Sequence, residues 1–236
     1  MPSIRAGIGA ARVLCTDRAD GVSVGPYTSR NLGDHVGDDP EAVAANRARV
    51  QDEMAGDWVW LRQVHGRAVL TDPTEEDAAV PADAAVTSVP GRVLAVVTAD
   101  CAPIVLVGDG AVGVVHAGWP GLEAGVVGEA VVALRAAARS GGPVRAFLGP
   151  CVHPARYEFG AGDLDRLAAR FGPGVRSTTL EGSPAFDLPA GVRVALREAG
   201  VDDVDDVDLC TAESPRFFSY RREGTTGRQA TAVVLT

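Results

Sequence analysis

A chain of 236 residues, 46% of them hydrophobic, is long enough to bury a large core without disulfides or a metal as staples. Its formal charge of −9 repels a phosphate backbone, which argues against a general nucleic-acid binder. All 22 basic residues are arginine, so Schiff-base, pyridoxal-phosphate and P-loop lysine chemistries are excluded. No apolar run reaches the roughly 18 residues of a membrane helix. Met1 to Ala11 carries one Arg and no apolar block, which predicts no secretory leader and a cytoplasmic location. The four cysteines are widely spaced with no CxxC pair, so free thiols are expected.

In chain order, Ile4–Ile8 and residues 13–16 read as short strands, and Ala19-Asp20-Gly21 as a turn. Asp39 and Pro40 mark a helix start, N-cap then first turn, with the helix running to about Ala55 and stopping at Gly56. Residues 58–64 read as a strand ending in Gln63-Val64-His65-Gly66, and 71–82 as an acidic loop. Residues 93–98 form the continuous apolar run of a buried strand. Strands at 104–107 and 111–115 flank Gly108-Asp109-Gly110, a hairpin signal. Residues 121–139 read as one long helix ended by Gly141-Gly142. A strand at 144–148 follows, then helices at Ala161–Phe171 and 188–199. The segments 207–209, 217–221 and Gln229–Leu235 read as β. Residues 202–208 hold five Asp and read as a solvated loop. Neither a composition break nor a repeat divides the chain. The expectation is a single α+β domain over residues 1–236, with mixed β-sheets packed between helices.

The hairpin places chemistry. With Gly108 and Asp109 as its turn residues, Cys101 faces His116 across the ladder, with Cβ atoms about 4.5–5.5 Å apart. A thiolate and an imidazole that close suit a metal pair or a nucleophilic Cys–His dyad. If the strand end at His65 lies alongside, the set becomes two histidines and a cysteine. Three protein ligands with an open fourth position is the arrangement of a catalytic zinc. Asp100 adjoins Cys101 and is placed to orient a ligand or take a proton. The ordinary readings stay open at this point: Cys101 as a small buried hydrophobe, and each histidine as a hydrogen-bonded surface residue. Copper is the less favoured ion, because the axial methionine of a blue-copper site is not at hand in Met1 or Met54. Four histidines are also too few for a multicopper centre, and the HxE…PCxxC deaminase signature is absent.

Several short motifs, taken in order, resemble one family. They are Asn31-Leu32-Gly33, His35-Val36-Gly37-Asp38, Asn46-Arg47, Gln63-Val64-His65-Gly66, Thr98-Ala99-Asp100-Cys101-Ala102-Pro103 and His116-Ala117-Gly118-Trp119. Gly149-Pro150-Cys151, Tyr157-Glu158, residues 217–222 and Thr226-Gly227-Arg228 complete the set. The chain resembles the YfiH-like laccase-domain family, also called the polyphenol oxidase or purine nucleoside phosphorylase family, over nearly its whole length. The resemblance implies zinc on His65, Cys101 and His116, and a single α+β domain. It implies phosphorolysis of adenosine, inosine and 5′-methylthioadenosine, with adenosine deamination. Its alternatives are a peptidoglycan-precursor editing amidase and a copper-dependent polyphenol oxidase. The implied partners are small molecules, a purine nucleoside and phosphate, with no nucleic acid, membrane or protein partner evident.

The chain departs from the family at Pro120, where Arg or Lys is usual, and at Ala155-Arg156, where cysteines are frequent. Arg221, Arg222 and Arg228 form a basic group suited to phosphate, with surface ion pairing as the ordinary reading. His35 is a candidate general acid or base. Asn31 is a candidate partner for a ribose or base, and Cys151 a candidate pocket residue. Tyr157 and Phe218 are candidates for stacking on a purine. Each of these could equally serve the core or a loop.

Overall fold

Short Val-, Leu- and Ala-rich strands build two large sheets in this computed structural model, which describes residues 3–236. Met1 therefore lies outside the described residues. Strands are numbered in chain order. The first sheet runs β1 (Ile4–Ile8), β2 (Ala11–Cys15), β13 (Gln229–Leu235), β6 (Arg92–Thr98) and β3 (Asp57–Trp60). The second runs β12 (Asp203–Asp206), β9 (Arg145–Leu148), β7 (Ala102–Gly108), β8 (Ala111–Ala117), β5 (Ala84–Thr87) and β4 (Val69–Thr71). A ribbon of β10 (Arg176–Thr178) and β11 (Pro184–Phe186) stands apart.

Strand β6 shows why its sequence is apolar at every position from Val93 to Val97. Val93, Ala95 and Val97 pack with Val50 of helix α1 (Pro40–Glu53) and with Met54. Leu94 and Val96 point the other way, onto Val105, Val112 and Val114 of the second sheet. The far face of that sheet, including Ile104, Leu106, Val115 and Ala117, packs on helices. These are α2 (Trp119–Ala124), α3 (Val126–Ala137), α4 (Ala161–Phe171) and α5 (Leu188–Glu198). The layers are thus helix, sheet, sheet, helices, which matches the expected fold class. A strand buried on both faces needs no polar alternation. Truncating a fully buried residue such as Leu94 to Ala costs about 2–5 kcal/mol.

The start of α1 is as expected, with the Asp39 carboxylate accepting from the Glu41 N–H at 3.0 Å. Several other expectations are corrected. The hairpin turns at Asp109-Gly110, because Gly108 pairs with Ala111 and Gly110 takes the left-handed φ of +68° that glycine adopts freely. His116 consequently faces Pro103, and Cys101 lies one residue before β7. The long helix is two helices, because Gly125 at φ +93° ends α2 and opens α3. Strand β3 stops at Trp60, and the Gln63 amide takes over its pairing: Nε2 donates to the Val97 carbonyl and Oε1 accepts from the Val97 N–H, both at 2.8 Å. The acidic stretch 71–82 holds a 3-10 turn, Glu75–Ala79, fixed by a Thr74–Asp77 capping box. The Asp-rich stretch is not all loop. Its strand β12 runs parallel to β9, with Asp203 2.8 Å from Arg145. Residues 207–209 form no strand, and 217–221 give way to a short helix, α6 (Tyr220–Glu223), capped by the Ser219 hydroxyl.

Candidate metal centre

Three chain reversals bring the three candidate ligands together. Cys101 sits between β6 and β7, where Asp100 turns the chain with φ +95°. His116 is the penultimate residue of β8 and is buried. His65 lies on the loop between β3 and β4, exposed, with φ +57°. Left-handed conformations at non-glycine residues cost about 1–3 kcal/mol each and persist only where their surroundings hold them. Here hydrogen bonds do so. The Asp100 carbonyl accepts from the Val152 N–H at 2.9 Å, and its carboxylate from the Thr211 hydroxyl at 2.6 Å and the Arg221 N–H at 2.7 Å.

One ligand atom from each of His65, Cys101 and His116 lies within 4.8 Å of the others. The two imidazoles meet at an angle of 64° with centroids 4.8 Å apart. Glycine makes this approach feasible. A Cβ on Gly118 would stand 2.5 Å from His65 Nδ1 and 3.1 Å from Cys101 Sγ, and one on Gly121 2.8 Å from the Gly66 carbonyl. Beneath the ligands is Asp83, fully buried, whose carboxylate is 2.8 Å from His116 Nδ1. It also accepts from the backbone N–H groups of Val64, His65 and Gly66 at 3.2, 2.9 and 2.7 Å.

The charges support one another. Burial pushes the Cys101 thiol up, but the His116 charge and hydrogen bonds from His116 and His65 outweigh it and bring the thiol down to about 6. Burial likewise opposes charge on His116, yet Cys101 and Asp83 raise it to about 9. Burial works against the Asp83 carboxylate too, and the hydrogen bonds from His116, Gly66 and Val64 hold it below the ordinary carboxylate range. One thiolate and two imidazoles are soft and borderline donors suited to zinc or copper. Their ligand atoms, all within 4.8 Å of one another, would draw in further to bind one ion at about 2.0–2.3 Å. The residues therefore fit a metal ion.

The group opens on a cavity of about 870 Å³ that His35, Asp100, Trp119, Tyr220, Arg221 and Arg228 also line. The family model of multi-copper polyphenol oxidoreductase laccase matches residues 12–236. The chain belongs to this family. It is 46% identical over 235 residues to a Streptomyces griseus protein named purine nucleoside phosphorylase, covering 96% of this chain and 95% of that one. A Mycobacterium tuberculosis protein of the same name is 44% identical over 229 residues, covering 94% and 91%. Among solved structures, a Neisseria meningitidis protein has a TM-score of 0.89 at 34% identity, over 100% of this chain and 99% of that one.

Within this laccase-family cavity the structure gathers eight of the twelve residues singled out in the sequence: His35, His65, Asp100, Cys101, His116, Tyr157, Arg221 and Arg228. Asn31 and Cys151 are elsewhere. Asn31 is fully buried and its amide is engaged on both sides: Oδ1 accepts from the N–H groups of Gly33 and Arg228 at 2.9 and 2.8 Å, and Nδ2 donates to the Gly33 carbonyl and Asp38 at 3.0 and 2.9 Å. It has no capacity left for a ribose, and it positions Arg228 instead. Cys151 is packed in the helix-side core beside Cys210, and burial pushes its thiol well up. Phe218 is fully buried under the Arg18 guanidinium at 4.5 Å, so it is no stacking platform. Arg222 donates to the carbonyls of Thr211, Ala212, Ser214 and Phe217, which makes it a loop clamp.

Sequence reasoning missed Asp83, Trp119 and Tyr220. The available signal for Asp83 was one charged residue in the otherwise apolar run from Ala82 to Val86, since a buried carboxylate demands partners.

Proposed function

We propose that this chain is a zinc-dependent purine nucleoside phosphorylase acting on adenosine, inosine and 5′-methylthioadenosine. The observation that carries the reading is the opening of the His65, Cys101 and His116 group on a cavity also lined by two arginines without an ion-pair partner among the described residues. The printed names of the relatives point the same way. A bound metal supplies Lewis-acid polarisation of a substrate oxygen or nitrogen. The remaining work falls to the chain. Arg221, stacked 4.8 Å over the Tyr157 ring, and Arg228, braced by Nη1 on the Thr226 and Gly227 carbonyls, present forked donors to phosphate. A phosphate oxygen attacks the anomeric carbon as the bond to the purine nitrogen breaks, and the leaving base takes a proton. His35, exposed at the cavity, is the residue we assign to that proton. Trp119 and Tyr220 offer flat apolar surface to the base. Asp100 holds Cys101 and Arg221 in place, because both of its oxygens already accept hydrogen bonds.

Deamination of adenosine is the second reaction of the same cavity in this proposal, with water in place of phosphate. The proposed substrates are small molecules of the cytoplasm. Among the described residues no helix is long and apolar enough to cross a membrane. Multicopper oxidation is disfavoured by a supply of four histidines, since His35 and His153 stand outside the ligand group. The test is incubation of the zinc-loaded protein with each nucleoside and phosphate. Free base with a pentose 1-phosphate is expected, and Arg221→Ala should raise the phosphate KM. Inosine without free base would leave the deaminase alone. Release of serine from a UDP-muramyl-serine precursor, with all nucleosides intact, would replace the proposal by the amidase reading.

A further inference from the structure

We infer that Asp83 is the positioning residue of the metal centre, a single carboxylate that sets the ring orientation of His116 and clamps the loop carrying His65. The inference rests on the metal reading above. Asp83 is itself fixed at the entrance to β5: its N–H donates to the Ala68 carbonyl at 3.1 Å, and its carbonyl accepts from the His116 N–H at 2.7 Å. An ionised carboxylate has about four lone-pair sites. All four are engaged here, by His116 Nδ1 and by three successive N–H groups at 64–66. With Nδ1 of His116 turned to Asp83, its other ring nitrogen is the one free for an ion. The three backbone bonds hold His65 at φ +57°, a conformation a histidine adopts at a cost. Two of the three ligands therefore depend on one side chain that touches neither the cavity nor a substrate. Asp83 lines no part of the cavity.

A merely structural carboxylate would affect folding alone, whereas a positioning residue governs affinity and ring chemistry in a folded protein. Asp83→Asn keeps the shape, but its amide NH2 meets N–H donors and cannot accept from them. Competition with a chromophoric chelator should show Zn2+ held about 10–100-fold more weakly by Asp83→Asn. The visible bands of the Co2+-loaded variant should shift from those of wild type. Asp83→Ala should weaken binding further. Because either variant could fail to fold, 15N NMR of the zinc-loaded wild type provides the second measurement, with a proton expected on Nδ1 of His116 and the metal on Nε2. A folded Asp83→Asn with unchanged Zn2+ affinity and Co2+ bands would overturn the inference. So would a wild-type His116 with its proton on Nε2. If wild type itself takes up neither Zn2+ nor Co2+, the metal reading fails and carries this inference with it, an outcome seen before any variant is made.

Discussion

Two polar clusters lie inside this protein, and they differ in what their side chains have left to bind. In the loop cluster packed on α1, Asn46 accepts from the Val22 N–H at 2.9 Å and donates to Ser23, Ser29 and Asn31 at 2.9, 3.2 and 3.0 Å. Asn31 beside it is equally saturated. Every donor has an internal acceptor, so the cluster is closed. At the metal centre, Asp83 is saturated but the three groups above it are not. Their ligand atoms lie within 4.8 Å of one another and engage mainly each other, and the group opens on the cavity. Both places are polar; unused valence and an open side separate a binding site from a structural network.

Removing one group from each cluster should break the molecule in opposite ways. Cys101→Ala should abolish zinc binding and reduce nucleoside cleavage to background, the largest effect expected. Its thermal midpoint should stay near that of wild type, since a chain of this size folds on its core. Elemental analysis and calorimetry on one preparation check both halves. Global unfolding of Cys101→Ala would make the two clusters equivalent and the metal structural. Asn46→Ala should do the reverse. Several partners lose a buried hydrogen bond, which costs about 2–4 kcal/mol of stability. Zinc stoichiometry should be unchanged, as read by denaturant titration beside elemental analysis.

The difference between the clusters also marks what a sequence can reveal. Cys101 and His116 were legible because a hairpin signal ties their positions together. The inferred register was wrong by two, since Gly110 rather than Gly108 serves the turn, but a shift of two leaves a side chain on the same face. Asn31 was misread because its type invites a ligand, and only the fold shows that Gly33, Asp38 and Arg228 have already filled it. The break at Gly125 was hidden because the segment holds three glycines, Gly121, Gly125 and Gly128, and only the backbone conformation shows which one ends a helix. The layered core was readable from unbroken apolar runs such as Val93 to Val97 of β6.

Thiol titration sharpens the contrast in finer steps. Cys101 is lowered to about 6, while burial drives Cys15 up to about 12, eased only slightly by the Thr231 hydroxyl. Metal-free protein should therefore show one fast-alkylating thiol around neutral pH, with a rate that falls as pH drops through about 6, where Cys101 gains its proton. Thiolate is the metal-binding form, so zinc affinity should weaken over the same range. Peptide mapping after iodoacetamide identifies the residue. Equal labelling of Cys101 and Cys15 at neutral pH would remove the electrostatic distinction.

The smallest effect concerns Pro120, where the family usually carries a basic residue. Pro120 is the second residue of α2 and lines the same cavity as Arg221 and Arg228. A proline fits there because the first N–H groups of a helix have no partner within it, and its fixed φ matches the helix. It offers phosphate neither charge nor donor. In Pro120→Arg a forked donor enters the cavity while the backbone loses its rigid first turn. The second change costs about 0.4–1 kcal/mol of stability. A charge-assisted hydrogen bond contributes about 1.5–3 kcal/mol, so the phosphate KM should fall roughly tenfold to a hundredfold. Phosphorolysis should gain on deamination, because only phosphorolysis consumes phosphate. Steady-state kinetics at varied phosphate decide the matter. A phosphate KM unchanged in Pro120→Arg, yet raised strongly in Arg221→Ala, would place the anion on the α6 side of the cavity and leave Pro120 with the start of α2 alone.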